Sequence, residues 1–358
     1  LDPDAVDRTI RALITFRALA DAHGAQLRAV ATSAVREAED PSGFIDRART
    51  DAGIDVEIIS GVEEARLIHL GVIGALPLTG FTHLVIDVGG GSTEVIVGAG
   101  SEPRLLRSLK IGHVRLSNRF FPDGVVTPER IRDCRNHIRS FLAPVSIAIR
   151  DEAADDAAGS SGTFEMLTRV ARSGHRGPER RQSVRRSEID HATERILQAN
   201  TPGERAAISG LDAHRVDTAP AGALIVQTLM ESLELASFML SPDALREGLI
   251  LDTLNRRDPA TDTLRHLGAI RASSVERVAQ RYGENLDHAR QATDIALQIF
   301  DATSDLHALD DFERDILEAG GMLHNLGRFV GHGAHHKHSY YLIRKSEHLA
   351  GFNEHELE

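Results

Sequence analysis

The chain has 358 residues, of which 41% are hydrophobic and 26% charged, an ordinary globular composition long enough for two or three domains. A formal net charge of -12 excludes a general nucleic-acid binder, so a polyanionic ligand has to be met by a local basic surface. The single cysteine, Cys134, excludes an internal disulfide and fits a reducing compartment, and with no long apolar run and no signal-type start the reading is a cytoplasmic protein without a membrane span.

The first elements in chain order are a helix over Asp4 to His23, with Val6, Ile10, Leu13, Ile14, Phe16, Ala18 and Leu19 on one apolar face, and a short strand over Leu27 to Ala31. A helix over Ser42 to Ala52 follows, with Ser42 as its N-cap. A strand over Val56 to Ile59 leads through Ser60-Gly61 into a helix over Val62 to Ile73, and this alternation signals an α/β domain. Three strands come next: one ending at Asp87, one carrying Glu94, and Arg104 to Ile111. Thr127 caps a helix that has Pro128 at its first position and runs to about Leu142. Pro220 to Phe238 reads as one long apolar helix and Leu245 to Leu254 as another. From Thr261 the pattern is helical, with histidines at Asp287-His288, His324-Asn325 and His332 to His338.

Chemistry concentrates in Leu84-Val85-Ile86-Asp87-Val88-Gly89-Gly90-Gly91-Ser92-Thr93-Glu94, which reads as strand, tight turn, strand. Successive glycines let backbone N–H groups converge on a phosphate, and the flanking carboxylates Asp87 and Glu94 suit a hard cation such as Mg²⁺. The alternative is a plain glycine-turn hairpin. Gly159-Ser160-Ser161-Gly162-Thr163 looks like a second strand-to-helix phosphate turn, after an unusually polar strand. Glu63 and Glu64 sit in the first turn of a helix, where acids favour the dipole; functionally, one of them polarises a water for attack on phosphorus. Arg215 and Asp217 read as a structural pair.

Ala31-Thr32-Ser33-Ala34-Val35-Arg36-Glu37-Ala38, Glu63 to Ile68, Asp87 to Glu94, Ser160 to Thr163 and Ala244-Leu245-Arg246-Glu247-Gly248 occur in that order. Together they resemble the exopolyphosphatase/guanosine pentaphosphatase (Ppx/GppA) family, and Leu323 to Gly327 and Gly333 to Ile343 resemble its helical extension. The resemblance implies an α/β fold, actin/Hsp70/sugar-kinase-like (ribonuclease H-like), with a two-domain core plus an all-α HD-like C-terminal domain. The expected segments are 1–78, 79–257 and 258–358. By position, Glu64 matches the family's catalytic base, and Asp87 and Glu94 its metal-associated carboxylates for Mg²⁺. Arg36, Gly89, Gly90, Gly91, Ser92, Thr93, Ser161, Gly162 and Thr163 match its phosphate-binding positions.

The family hydrolyses the terminal phosphate of inorganic polyphosphate or of guanosine pentaphosphate, and it implies a homodimer. Polyphosphate hydrolysis is the leading expectation, guanosine pentaphosphate hydrolysis the second, and a non-catalytic sensor of guanosine tetraphosphate or polyphosphate the third. Arg169, Arg172 and Arg176, with His336, Lys337 and His338, are candidates for a polyanion track, the alternative being a solvated basic loop. Two departures from the family pattern stand out. No Asp-x-Gly-Ser-Asn-Ser turn is present, and the chain begins at Leu1 and stops inside a helical pattern, which predicts a fragment lacking one wall of its cleft. The His-Asp metal doublet of HD folds reads His324-Asn325 here, and an amide is a poor anionic ligand, so a second metal centre is not expected.

Overall fold

The structure is a computed structural model that describes every residue except 79, 81, 153, 155, 174–182, 258–265, 310, 347, 353–355 and 358. By contact the chain forms two compact units, one of residues 1–63 with 267–358 and one of residues 64–266. This grouping joins most of the first expected segment to the third.

The chain opens with α1 (Pro3–Ala22), β1 (Ala29–Ala31), α2 (Ser33–Arg36), α3 (Ser42–Ala52) and β2 (Val56–Ile58), with β1 and β2 in parallel. The face of α1 is narrower than its composition suggests. Ile10 is buried with Phe44 and Ala48, whereas Phe16 and Leu19 are exposed. Ser42 is the first residue of α3 and Pro41 its N-cap; the Asp40 carboxylate accepts from the Ser42 hydroxyl and from the Ser42 N–H at 2.9 Å, and those hydrogen bonds hold the Asp40 carboxyl below its ordinary range.

Helix α4 (Gly61–Ala75) leads to β3 (Thr82–Val88), β4 (Thr93–Ala99) and β5 (Glu102–Leu109), then α5 (His113–Phe120) and α6 (Pro128–Asp151). After these come β6 (Asp156–Ser160), α7 (Ser161–Arg172), β7 (Ser183–Arg185), α8 (Arg186–Gln198), α9 (Pro202–Ala206), α10 (Ala219–Ser232), β8 (Ser237–Leu240) and α11 (Leu245–Arg257). The unit of residues 64–266 is built on a six-stranded sheet of order β5-β4-β3-β6-β8-β7, in which β3–β6 and β6–β8 are parallel and the other pairs antiparallel. Helix α10 is apolar all round because it is buried against α5, α6 and α8.

Two expectations shift here. Helix α6 runs past Pro144 to Asp151, because its buried stripe Cys134, Ile138, Leu142, Val145, Ile149 continues and the proline faces solvent. Burial pushes the Cys134 thiol up to about 12, as expected of a core residue. The run after Pro220 is not one helix. It stops at Ser232, Glu234 takes a positive φ of 57°, and Phe238 enters β8.

Helices α4 and α11 meet closely. A Cβ on Gly71 would lie 2.1 Å from the Ala244 carbonyl oxygen, and one on Gly248 1.8 Å from that of Leu67. The buried Arg66 guanidinium pairs with Asp252 at 2.6 Å, and Arg256 pairs with the same carboxylate at 2.8 Å. Glu247 accepts the Ala244 N–H at 3.0 Å, so the Leu245 to Gly248 motif builds a helix start and a helix crossing. On the sheet side, His69 of α4 and His83 of β3 are buried and stacked, with Nε2···Nε2 at 2.9 Å.

The other unit is completed by α12 (His266–Arg281), α13 (Leu286–Ala302), α14 (Ser304–His307), α15 (Asp311–Leu323) and α16 (His335–Arg344), around a core of Val275, Val278, Leu323, Leu326, Leu349 and Phe352. Among the described residues no helix is long and apolar enough to cross a membrane.

Candidate active site

Strand pairing sets the site. Asp87 and Glu94 are direct partners across the antiparallel β3–β4 pair, so their side chains leave the same face. Asp87 also pairs in parallel with Ser160, whose hydroxyl donates to Asp87 Oδ2 at 2.6 Å. Glu64 comes from the first turn of α4, where Ser60 Oγ accepts the Glu63 N–H at 3.1 Å and starts the helix. All three carboxylates are buried, at 7% exposure for Glu64, 8% for Asp87 and 1% for Glu94.

That burial has an electrostatic consequence. Loss of solvent raises the Asp87 pKa to about 6, against the lowering effect of the Ser160 hydrogen bond. Glu94 is pushed well above its ordinary range, first by burial and then by the charges of Glu64 and Asp87, although Ser108 Oγ donates to its Oε1 at 2.7 Å. A buried acid whose proton affinity is raised by two neighbouring acids marks a site that a cation would relieve.

The glycine turn joins β3 to β4. Gly89 N–H donates to Ser92 O at 3.0 Å. The carbonyls of Gly89 and Gly90 accept from His113, Val114 and Arg115 N–H at the start of α5, and Gly91 O accepts from Arg115 Nε at 2.7 Å. With the carbonyls committed to α5, the N–H groups of Gly90, Gly91 and Ser92 have no backbone acceptor among the described residues. None of the three glycines has a positive φ. The residue that must be glycine for space is Gly112, where a Cβ would lie 2.2 Å from Gly90 O.

The second turn stands beside the first. Ser161 has φ 83°, a strained value for a residue with a side chain. Its hydroxyl and that of Thr163 both donate to Val88 O at 3.0 Å. Thr93 Oγ1 likewise donates to Ile111 O. The hydroxyls of Thr93, Ser161 and Thr163 therefore tie the turns together, and the amides are what these turns offer a ligand.

Sequence reasoning missed Arg215. It forms no ion pair with Asp217 among the described residues; its Nη2 lies 2.0 Å from where a Cβ on Gly162 would stand. Gly162 is thus the seat of a guanidinium at the second turn. The same guanidinium, after burial, lowers the His113 pKa to about 4. The only signal in the sequence was the glycine itself, whose partner lies more than fifty positions further on.

Other expected residues fall elsewhere. Arg36 belongs to the unit of residues 1–63 and 267–358, and its Nη1 donates to Ile59 O at 2.7 Å. Arg169 pairs with Asp212, and Arg172 pairs with Glu188 at 3.3 Å and donates to Ser183 O at 2.9 Å. These two arginines are neutralised within their own unit. Arg176 lies outside the described residues. His336, Lys337 and His338 stand on α16 with His336 and Lys337 exposed, in the unit that does not contain Arg169.

Among the described residues, no group of three or more His, Cys, Asp or Glu side chains is placed to hold a metal ion by itself. The donor set still fits Mg²⁺, which takes one or two carboxylates and completes its shell with water and phosphate oxygens.

Comparison with known proteins agrees with this geometry. The sequence pattern of the Ppx/GppA phosphatase family matches residues 1–257, and that of the family's domain III matches residues 270–358. Acids around phosphate-sized turns on an α/β sheet, under such a match, define a phosphatase. The chain belongs to the Ppx/GppA phosphatase family. An exopolyphosphatase from Cytophaga hutchinsonii is 29% identical, with 72% of this chain and 84% of that one aligned at a TM-score of 0.65. The Aquifex aeolicus family member is 25% identical over 72% of this chain and 84% of its own, at a TM-score of 0.61.

Proposed function

We propose that this phosphatase removes the terminal phosphate of inorganic polyphosphate with Mg²⁺. The observation that carries the reading is the buried trio Glu64, Asp87 and Glu94 beside the amides of the glycine turn. The name of the Cytophaga relative supports polyphosphate over other phosphoanhydrides.

Glu64 serves as general base. Its carboxylate takes a proton from water as the water oxygen bonds to the terminal phosphorus, and the bridging oxygen leaves with the shortened chain. The amides of Gly90, Gly91 and Ser92 hold the oxygens of the transferred phosphoryl group, and Arg215 adds positive charge at the second turn. Asp87 and Glu94 would hold the Mg²⁺, Asp87 oriented by Ser160 and Glu94 by Ser108. Bound there, the cation supplies neutralisation of phosphate charge.

The test is phosphate release from long-chain polyphosphate and from guanosine pentaphosphate in parallel. Glu64→Gln is expected to lower kcat by roughly 10²–10⁴-fold while polyphosphate binding is kept. Undiminished release by that variant removes Glu64 from the role. Release from guanosine pentaphosphate alone replaces the substrate, and binding without release from either leaves a sensor.

A further inference from the structure

The helical segment 267–358 holds a cavity of about 530 Å³ between the end of α12, the start of α13 and the turn Leu326–Phe329, within the range of small-molecule sites. Tyr282, Glu284, His288, Asn325, Arg328 and Phe329 line it. We propose that it binds a nucleoside phosphate, with the phosphate on Arg328 and Asn325 and the base against Tyr282 and Phe329. This inference does not depend on the catalytic reading above.

Asn325 carries the argument. It is 2% exposed, yet its Nδ2 has no hydrogen-bond partner within the protein. A buried amide donor without an acceptor is costly, and an oxygen supplied by a ligand removes that cost. Arg328 stands three residues on, exposed, and forms no ion pair among the described residues. A carboxylate at 325 would favour a cation. An amide donor beside a guanidinium reverses the polarity of the site and favours an anion.

The rest of the lining selects the ligand class. Tyr282 and Phe329 meet edge to face, with centroids 5.4 Å apart, and offer an aromatic surface to a flat ring. His288 lies 6.0 Å from the His324 ring and adds a polar group at the rim. Glu284 adds a carboxylate acceptor to the lining. Bare phosphate would leave its carboxylate facing an anion. A nucleoside phosphate, with negative charge at one end and ring N–H groups at the other, satisfies both kinds of group.

The test is calorimetric titration of the full chain with AMP, GMP and inorganic phosphate. At least one nucleotide is expected to bind, at least tenfold tighter than inorganic phosphate, and Arg328→Ala and Asn325→Asp are each expected to weaken it by roughly tenfold or more. The chain has no tryptophan, so Phe329→Trp supplies a local fluorescence reporter that should respond to the nucleotide, with the response lost when Arg328→Ala is added. An isotherm unchanged by Arg328→Ala overturns the proposal. So does the absence of heat with either nucleotide at roughly millimolar concentration, or inorganic phosphate binding as tightly as the nucleotides.

Discussion

The fold raises the proton affinity of Asp87 and Glu94, and that makes stability depend on pH in a definite direction. A carboxyl group in an unfolded chain titrates near 4. The folded Asp87 titrates at about 6 and Glu94 higher than usual. Both therefore stabilise the fold most fully below pH 4, and that contribution is lost as pH rises through their folded values. Glu94→Gln removes one charge from the trio and is expected to raise the melting temperature at pH 8, by about 2–4 °C for each ~1 kcal/mol recovered, with the gain shrinking towards pH 5. Mg²⁺ is expected to raise the wild-type melting temperature at pH 8 through preferential binding to the folded state, and to lose that effect in Asp87→Asn. At the second turn, Arg215→Ala is expected to raise KM for polyphosphate more than tenfold, and Arg215→Lys to restore it only partly, because an ammonium does not reproduce the planar fork. At this scale the sequence disclosed its acids well. Asp87, Glu94 and Glu64 stand at strand and helix ends, where a local pattern is enough to read them. Arg215 was hidden because its contact with Gly162 spans two distant segments, and the hydroxyls of Thr93 and Thr163 turned inward because carbonyls of neighbouring strands compete for them.

Elements hold these residues in place. The crossing of α4 and α11 leaves no room for a methyl group at Gly248, whose backbone neighbour is the Leu67 carbonyl and cannot swing aside. Gly248→Ala is expected to destabilise the unit by more than about 2 kcal/mol in denaturant titration. Asp252→Asn removes the carboxylate that pairs with the buried Arg66 guanidinium and is expected to cost about 3–5 kcal/mol, with Arg256→Gln far milder because Arg256 pairs from a more exposed position. Since α4 also carries Glu64, the base in the proposed mechanism, Gly248→Ala and Asp252→Asn should lower phosphate release by misplacing it. Element type was legible wherever periodicity ran unbroken, as in α1, α4, β3 and β4. It failed over Leu233 to Leu240, where an apolar run has no period to separate helix from strand and Phe238 goes into the sheet only because β6 and β7 flank β8. It also stopped α6 too early, since a proline on the solvent face costs one hydrogen bond and a continuing buried stripe outweighs it.

At the scale of the whole molecule, the proposed function asks a chain of net charge -12 to take hold of a polyanion. The six-stranded sheet unit spends Arg169 and Arg172 on Asp212 and Glu188, which leaves the turn amides and Arg215 as the groups placed at the site itself. Polyphosphate affinity is accordingly expected to fall only shallowly with salt, with a log–log slope of magnitude below about 3. A steep slope would show that a longer basic surface takes part. The two-unit division has a consequence for synthesis. Residues 1–63 share their unit with residues 267–358, and the Glu63 carboxylate accepts the Gly351 N–H at 2.8 Å. On a ribosome adding about 5–20 residues per second, the first segment emerges roughly 10–40 s before the second. During that interval it is held by the small cluster of Ile10, Phe44 and Ala48 and by the β1–β2 pair, while the sheet unit between them has all its described strands in hand. Residues 267–358 thus complete the unit that residues 1–63 begin, and a nascent chain held at residue 266 should display a folded sheet unit with residues 1–63 open to proteases.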